Sequence, residues 1–178
     1  MRQTLIAKVE NKPGVLNRVA SLFRRRNFNI ETINAGLTEN PKFTRMTIVV
    51  HTKEEEAYKV EANLYKLVNV IDVQDVTGQS ALIRELALVK VSAKNGQRAE
   101  IANLASIFGA KIIDVAEDCV VVQIASGEEK VSSLIELLRP FGIVELVRTG
   151  HIAMMRGSTE GVRHTPGAGN GMYKNGKH

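Results

Sequence analysis

Tryptophan is absent, and aromatic residues make up only 4% of the 178-residue chain. Any core must therefore be built from Val, Ile, Leu and Ala. The one cysteine, Cys119, cannot close an internal disulfide, which suits a reducing cytoplasm. Its Val-rich strand sequence predicts a buried, inert thiol. No run of about 18 apolar residues occurs, which excludes a membrane-spanning helix. Met1–Thr4 enters an amphipathic pattern with no signal-peptide apolar stretch, so a cytoplasmic location is expected. The G-x-S-x-G, H-E-x-x-H, C-x-x-C and G-x-x-x-x-G-K-[ST] patterns are all missing, so nucleophile, zinc and P-loop templates fail. His151, His164 and His178 are too scattered for a metal cluster. The length allows one ordinary domain or two small ones. It leaves no room for a large cofactor enzyme folding from this chain alone.

What is present is globular in balance, with 44% apolar and 24% charged residues. The net charge of +5 is spread thinly: +3 over residues 1–78, zero over 79–156 and +2 over 157–178. The densest basic patch is Arg24-Arg25-Arg26 with Arg18. It reads as a solvated helix end, where cations suit the dipole, or as a contact for phosphate or an acidic partner. Glu54-Glu55-Glu56 and Glu128-Glu129 fall where helices should begin and read as dipole partners, not acid/base pairs.

The apolar period alternates along the chain. Thr4 to Glu10 has strand spacing, and Asn11-Lys12-Pro13-Gly14 breaks it. Val15, Leu16, Val19, Leu22 and Phe23 then share a helix face ending near Arg26. Strands follow at Ile30 to Leu37 and Arg45 to Val50, then a helix through Ala57, Val60, Leu64, Leu67 and Val68, then a strand from Val70 to Val76. After Thr77–Ser80 the order returns: strand Leu86–Val91, helix face Ile101, Leu104, Ala105 and Phe108, strands Lys111–Val115 and Cys119–Ala125. A helix through Val131, Leu134, Ile135 and Leu138 and a strand from Ile143 to Arg148, extended through Met154, complete it. The spacing predicts an α+β fold of two tandem ferredoxin-like βαββαβ units, residues 1–78 and 82–157. The Gly-rich stretch 158–178 has nothing to bury and is expected to be a solvated tail. Each unit has helices on one sheet face only, so the other face is wet or covered by a partner, and small cores favour pairing.

RNA-recognition modules share this element order but stack bases on strand aromatics. Thr4–Glu10 and Thr44–His51 contain none, so no nucleic-acid partner is expected. A small-ligand site is better supported. Asn11-Lys12-Pro13-Gly14 leads into a helix N-terminus at Val15-Leu16, whose free N–H groups and positive dipole end suit a carboxylate. Asn29, entering the next strand, offers an amide that can meet an ammonium or a carboxylate.

Val9-Glu10-Asn11-Lys12-Pro13-Gly14-Val15-Leu16, Asn27-Phe28-Asn29-Ile30-Glu31 and Thr44–Val50 together resemble an ACT domain. More narrowly, they resemble the regulatory small subunits of acetohydroxyacid (acetolactate) synthase. Arg84-Glu85-Leu86-Ala87-Leu88 and Arg148-Thr149-Gly150 are similar to that family's second domain, so the likeness covers roughly residues 1–157. The resemblance implies a non-catalytic chain that forms a homodimer through its ACT domains and binds valine, or another branched-chain amino acid, between neighbouring chains. Asn11, Gly14, Val15 and Leu16 would line the loop side, and Asn29 with Ile30 the partner side. It also implies a large catalytic subunit as partner, carrying thiamine diphosphate, a divalent metal and FAD, with no cofactor on this chain. That agrees with the absence here of the Gly-Asp-Gly start of the usual thiamine-diphosphate motif. The helix-free sheet faces and Arg24–Arg26 are candidate surfaces for that subunit. The alternative is a stand-alone ACT sensor that regulates transcription or an unrelated enzyme.

Overall fold

The computed structural model describes residues 1–94 and 96–157; the expected tail lies outside them. The first unit runs β1 (Arg2–Glu10), α1 (Val15–Arg25), β2 (Asn29–Leu37), β3 (Phe43–His51), α2 (Ala57–Leu64) and β4 (Val70–Asp75). The second runs β5 (Ala81–Ser92), α3 (Arg98–Ile107), β6 (Lys111–Val115), β7 (Cys119–Ser126), α4 (Glu128–Leu138) and β8 (Ile143–Arg148), followed by β9 (Ile152–Met155). The two sheets have the same antiparallel order, β2-β3-β1-β4 and β6-β7-β5-β8. This is the expected repeat of two βαββαβ units.

Alternation decides which face each strand buries. Leu5, Ala7 and Val9 of β1 and Met46, Ile48 and Val50 of β3 pack under Val15, Val19, Leu22 and Phe23 of α1 and Val60 and Leu64 of α2. In the second unit Ala87, Val89, Val91, Val120, Val122 and Ile124 pack under Ile101, Ala105, Val131, Leu134, Ile135 and Leu138. The buried members of both cores are aliphatic apart from Met46 and Phe23; Phe23 meets Phe28 edge-on at 6.1 Å, and Phe108 and Phe141 pack against the second core.

Several elements differ from expectation. Helix α2 stops at Leu64; Leu67 still packs on the core, but Val68 turns outward and is 83% exposed. Cys119 is half-buried rather than buried, because its register opposite Ser92 puts it on the helix-free face. β3 begins at Phe43, which brings one aromatic ring onto the first sheet, with Lys8 Nζ 4.7 Å from its centroid. The largest difference is at the joint. β5 starts early, at Ala81, and β8 does not continue through Met154. A break at Thr149-Gly150-His151 separates β9, which pairs with the first residues of β5, Ala81 opposite Met155 through Arg84 opposite Ile152.

This β5–β9 pair covers part of the first sheet's helix-free face. Ile6 and Val76 are buried with Ala153, and Ala81, Ile83 and Met155 pack around them. Arg45 Nη2 donates to the Ala153 carbonyl at 3.0 Å, and the Ala153 N–H donates to Thr47 Oγ1 at 3.2 Å. The face expected to be wet or held by another protein is thus partly covered by the chain itself. Two segments singled out in the sequence build the joint. Glu85, almost fully buried, is gripped by Arg148 through two hydrogen bonds, and Thr149 Oγ1 accepts from the Leu86 N–H at 3.1 Å. Gly150 has φ +74°, and a β-carbon there would lie 2.7 Å from Cβ of Thr32.

Gly150→Ala therefore combines left-handed backbone strain with a clash and should destabilise the chain by about 2–4 kcal/mol. Gly78 also has positive φ but faces open space, so Gly78→Ala should cost only about 1–2 kcal/mol. Urea unfolding of both variants measures the difference; equal losses would show that the contact with Thr32 contributes nothing.

Candidate functional site

The loop between β1 and α1 is held by its own first residues and by a buried amide. Asn11 donates its backbone N–H to the Lys42 carbonyl at 2.7 Å and its side-chain amide to the Pro41 carbonyl at 2.9 Å. Gly14 caps α1 at φ +82°, ψ −4°, the left-handed region that residues with a β-carbon resist. No side chain caps α1 and its first turn contains no acidic residue. α4, by contrast, starts with Glu128 and Glu129. The N-terminal end of α1 therefore retains a positive pole with no anion of its own, and a carboxylate is the ligand such a pole favours. Val15 is buried, whereas Leu16 is half-exposed beside this pole.

Asn69 braces the loop from below. It is nearly buried and links three segments: its Nδ2 donates to Glu10 and its Oδ1 accepts from Arg18 Nη1 at 2.7 Å. Its backbone carbonyl accepts from the Glu10 N–H at 2.8 Å. The Asn69 hydrogen bond, then Lys12, holds the Glu10 carboxyl below the ordinary glutamate value.

The other candidates, Asn29 and Ile30, lie at the far end of the unit. α1 closes through Asn27, which takes φ 57° while the Phe28 N–H reaches back to the Phe23 carbonyl at 3.0 Å, the left-handed stop that Asn tolerates. Asn29 then opens β2 opposite His51, and His51 lies opposite Arg2. Arg2 and Glu10 end the same strand, eight residues apart, or about 26 Å at ~3.3 Å per residue. One chain therefore does not bring Asn29 and Ile30 to Asn11, Gly14, Val15 and Leu16. β2 is also an edge of its sheet. Antiparallel pairing of that edge with the same edge of a second copy would set the Asn29 end of one beside the Leu37 end of the other. Leu37 lies opposite Thr44, at the end of the sheet that carries the α1 loop.

Residues 5–72 match the model of the small-subunit-like ACT domain of acetohydroxyacid synthase, and residues 84–157 match that of the small subunit of acetolactate synthase. The chain belongs to the acetolactate synthase small-subunit family. The small subunit of Bacillus subtilis is 41% identical over 161 residues, covering 90% of this chain and 94% of that protein. A probable small subunit of Archaeoglobus fulgidus is 47% identical over 158 residues, covering 89% and 99%. The crystal structure of the Thermotoga maritima small subunit superposes with a TM-score of 0.82 at 36% identity, covering 89% of this chain and 99% of that one.

A second polar cluster in this family member was not anticipated from its sequence. Arg2, Glu31, Glu128 and His151 meet between the two units, beside a cavity of about 410 Å³. Glu128 starts α4 as its sequence suggests, and it also meets His151 in this cluster. No local pattern signals the cluster, because Arg2 and Glu128 lie 126 positions apart. Among the described residues no group of three or more His, Cys, Asp or Glu is placed to hold a metal ion. Nor is any of their helices long and apolar enough to cross a membrane.

The Asn69 brace has a pH signature. A depressed folded value means that the Glu10 contribution is complete above the ordinary value of 4.5 and is lost as pH falls through the lower folded value. The Asn69 side-chain amide resonances should titrate with a midpoint below 4.5. In Asn69→Ala the Glu10 carboxyl resonance should move its own midpoint back up toward that value. An unchanged Glu10 midpoint in the variant would remove Asn69 as the brace.

Proposed function

We propose that the chain is the non-catalytic regulatory subunit of an acetolactate synthase, a homodimer that binds valine between two ACT units and passes that occupancy to a large catalytic subunit. The observation that carries this reading is the separation of the two half-sites. One copy presents an uncapped α1 pole with Gly14 and Leu16, and the complementary amide of Asn29, with Ile30, sits at the opposite end of an open edge strand. Pairing of two β2 edges completes two such sites. The valine carboxylate would meet the α1 N–H groups, its ammonium the Asn29 side-chain oxygen, and its isopropyl group Leu16 and Ile30.

The two units, 1–78 and 82–157, then divide the work, the first sensing and the second joining the first to the catalytic machinery. Thiamine diphosphate, the divalent metal and FAD belong to the catalytic partner in this reading, and this chain contributes no reacting group. Regulation requires unequal affinity of valine for the activating and inhibited arrangements, since equal affinity shifts nothing. A ligand of this size and polarity should bind in the micromolar to millimolar range, about −8 to −4 kcal/mol. Isoleucine differs by one methylene, worth about 1–3 kcal/mol, and should be a partial effector.

Calorimetric titration with L-valine, against L-isoleucine, L-serine and L-lysine, tests the sensor. Gly14→Asp is the discriminating variant. Space around the Gly14 β-carbon position is open, so the fold should survive at a cost of about 1–2 kcal/mol. The new carboxylate would compete for the α1 pole. We expect saturable valine heat in the parent and none in the variant, with activation of the large subunit intact in both. Undiminished valine inhibition in Gly14→Asp would sink the assigned site.

A further inference from the structure

β2 begins with an irregular step. Its register against β3 shifts between Ile30 and Thr32, so Glu31 is the extra residue, and a bulge of this kind re-aims a side chain. The Glu31 carboxylate accepts from Arg2, with Oε1 2.7 Å from Nη2 and Oε2 3.0 Å from Nε. Its Oε2 also lies 2.7 Å from His51 Nε2. The remaining arm of Arg2, Nη1, donates to Glu128 Oε2 in the first turn of α4. His151, nearly buried in the β8–β9 turn, closes the cluster with Nε2 3.0 Å from the same Glu128 oxygen. The Arg2 bond is the foremost influence lowering the Glu128 carboxyl, and the same bond raises Arg2.

The other contacts across the joint mostly avoid this strand. The apolar seam rests on Ile6 and Val76, and Ala153 is held by Arg45 and Thr47 of β3. β2 meets the second unit near its start, at Glu31 through Arg2 and at Thr32 under Gly150, and farther along Asn34, Gly36 and Leu37 border a cavity shared with Leu82, Ile152 and Met154. The seam of Ile6, Val76 and Ala153 does not use the Arg2 bridge, so the units stay joined when that bridge is altered.

We propose that Arg2 is a positioning residue that couples the effector strand to the second unit, its guanidinium bridging Glu31, directly after Asn29 and Ile30, to Glu128 at the start of α4. The coupling rests on the effector reading above: a ligand that draws Asn29 and Ile30 toward a neighbouring chain moves Glu31, and Arg2 carries that displacement to α4. Removing the guanidinium would also leave two carboxylates facing each other and turn the attraction into repulsion.

The test uses the full chain with its catalytic partner and the variants Arg2→Gln, Glu128→Gln, their double and Arg2→Lys. Readouts are valine heat, valine inhibition and hydrogen exchange of residues 29–33 and 128–131. In the parent, valine should slow exchange in both segments. In Arg2→Gln, heat should persist and residues 29–33 should still be protected, but protection of 128–131 should be lost. Half-inhibition should then need at least about fivefold more valine, the lower end of ordinary allosteric coupling. Glu128→Gln should match it, the double should be no worse than either single, and Arg2→Lys should recover part of the response. Arg2→Gln that protects both segments and is inhibited like the parent overturns the proposal. Additive losses in the double also overturn it. A parent in which valine protects neither segment overturns the effector reading before any variant is made, and the coupling role falls with it.

Discussion

About 26 Å of β-strand lies between the two halves of the proposed effector site, and no side-chain motion shortens it. Much else in the first unit fits this constraint. β2 is left as an edge with unpaired backbone groups, which a solitary domain would need to protect. The α1 pole has no carboxylate cap of its own, although three-residue and two-residue acidic runs start other helices. Leu16, half-exposed at that pole, is apolar surface for which the monomer has no use. In the proposed dimer, pairing of two edges would satisfy β2 and bring Ile30 of one copy toward Leu16 of the other, and the ligand carboxylate would serve the α1 pole.

The second unit solves a different problem. A sheet with helices on one side leaves its other face to water or to a neighbour, and a core of roughly 75 residues buries too little to be generous with stability. Here the chain extends β5 backward and returns β9 beside it, so that one short strand pair covers Ile6, Val76 and Thr47 of the first sheet. Glu85 is buried at this junction only because Arg148 grips it with two bonds; an unpaired carboxylate there would be strongly destabilising. Gly150 matters for a different reason, since the backbone can approach Thr32 only where no β-carbon intervenes.

Local elements were legible in the sequence to the extent that a single period governs them. The α1 face, the alternation of β1 and β3, and the repeat of the element order all emerged from apolar spacing, with Pro13-Gly14 marking the break. Val68 misled because spacing continues past Leu64 while the helix does not. β9 was missed because Ile152–Met155 follows β8 with only a three-residue break, and the residue that forces the break, Gly150, acts through a partner 118 positions earlier. The Arg2 cluster was illegible for the same reason. Its members come from β1, β2, α4 and the β8–β9 turn, and each taken alone has an ordinary surface explanation. The Asn11–Gly14 loop, the Val15-Leu16 helix start and Asn29 were legible as ligand-binding features, but Ile30 and the joining of both sides into one site between two chains came only through resemblance.

The exposure of the cluster suits a coupling element better than a structural one. Arg2, Glu31 and Glu128 each keep about a third of their side-chain surface in water. Exposed ion pairs of this kind contribute about 0–1 kcal/mol, whereas breaking a buried pair costs about 3–5 kcal/mol. Allosteric coupling between sites amounts to about 1–3 kcal/mol. A fully buried latch would therefore resist a ligand as small as valine, and a fully solvated one would transmit nothing. Two partly screened carboxylates joined by one rigid guanidinium fall between those limits. Glu85 and Arg148 pair within the second unit, and the apolar seam of Ile6, Val76 and Ala153 is what would keep the units joined while the bridge rearranges.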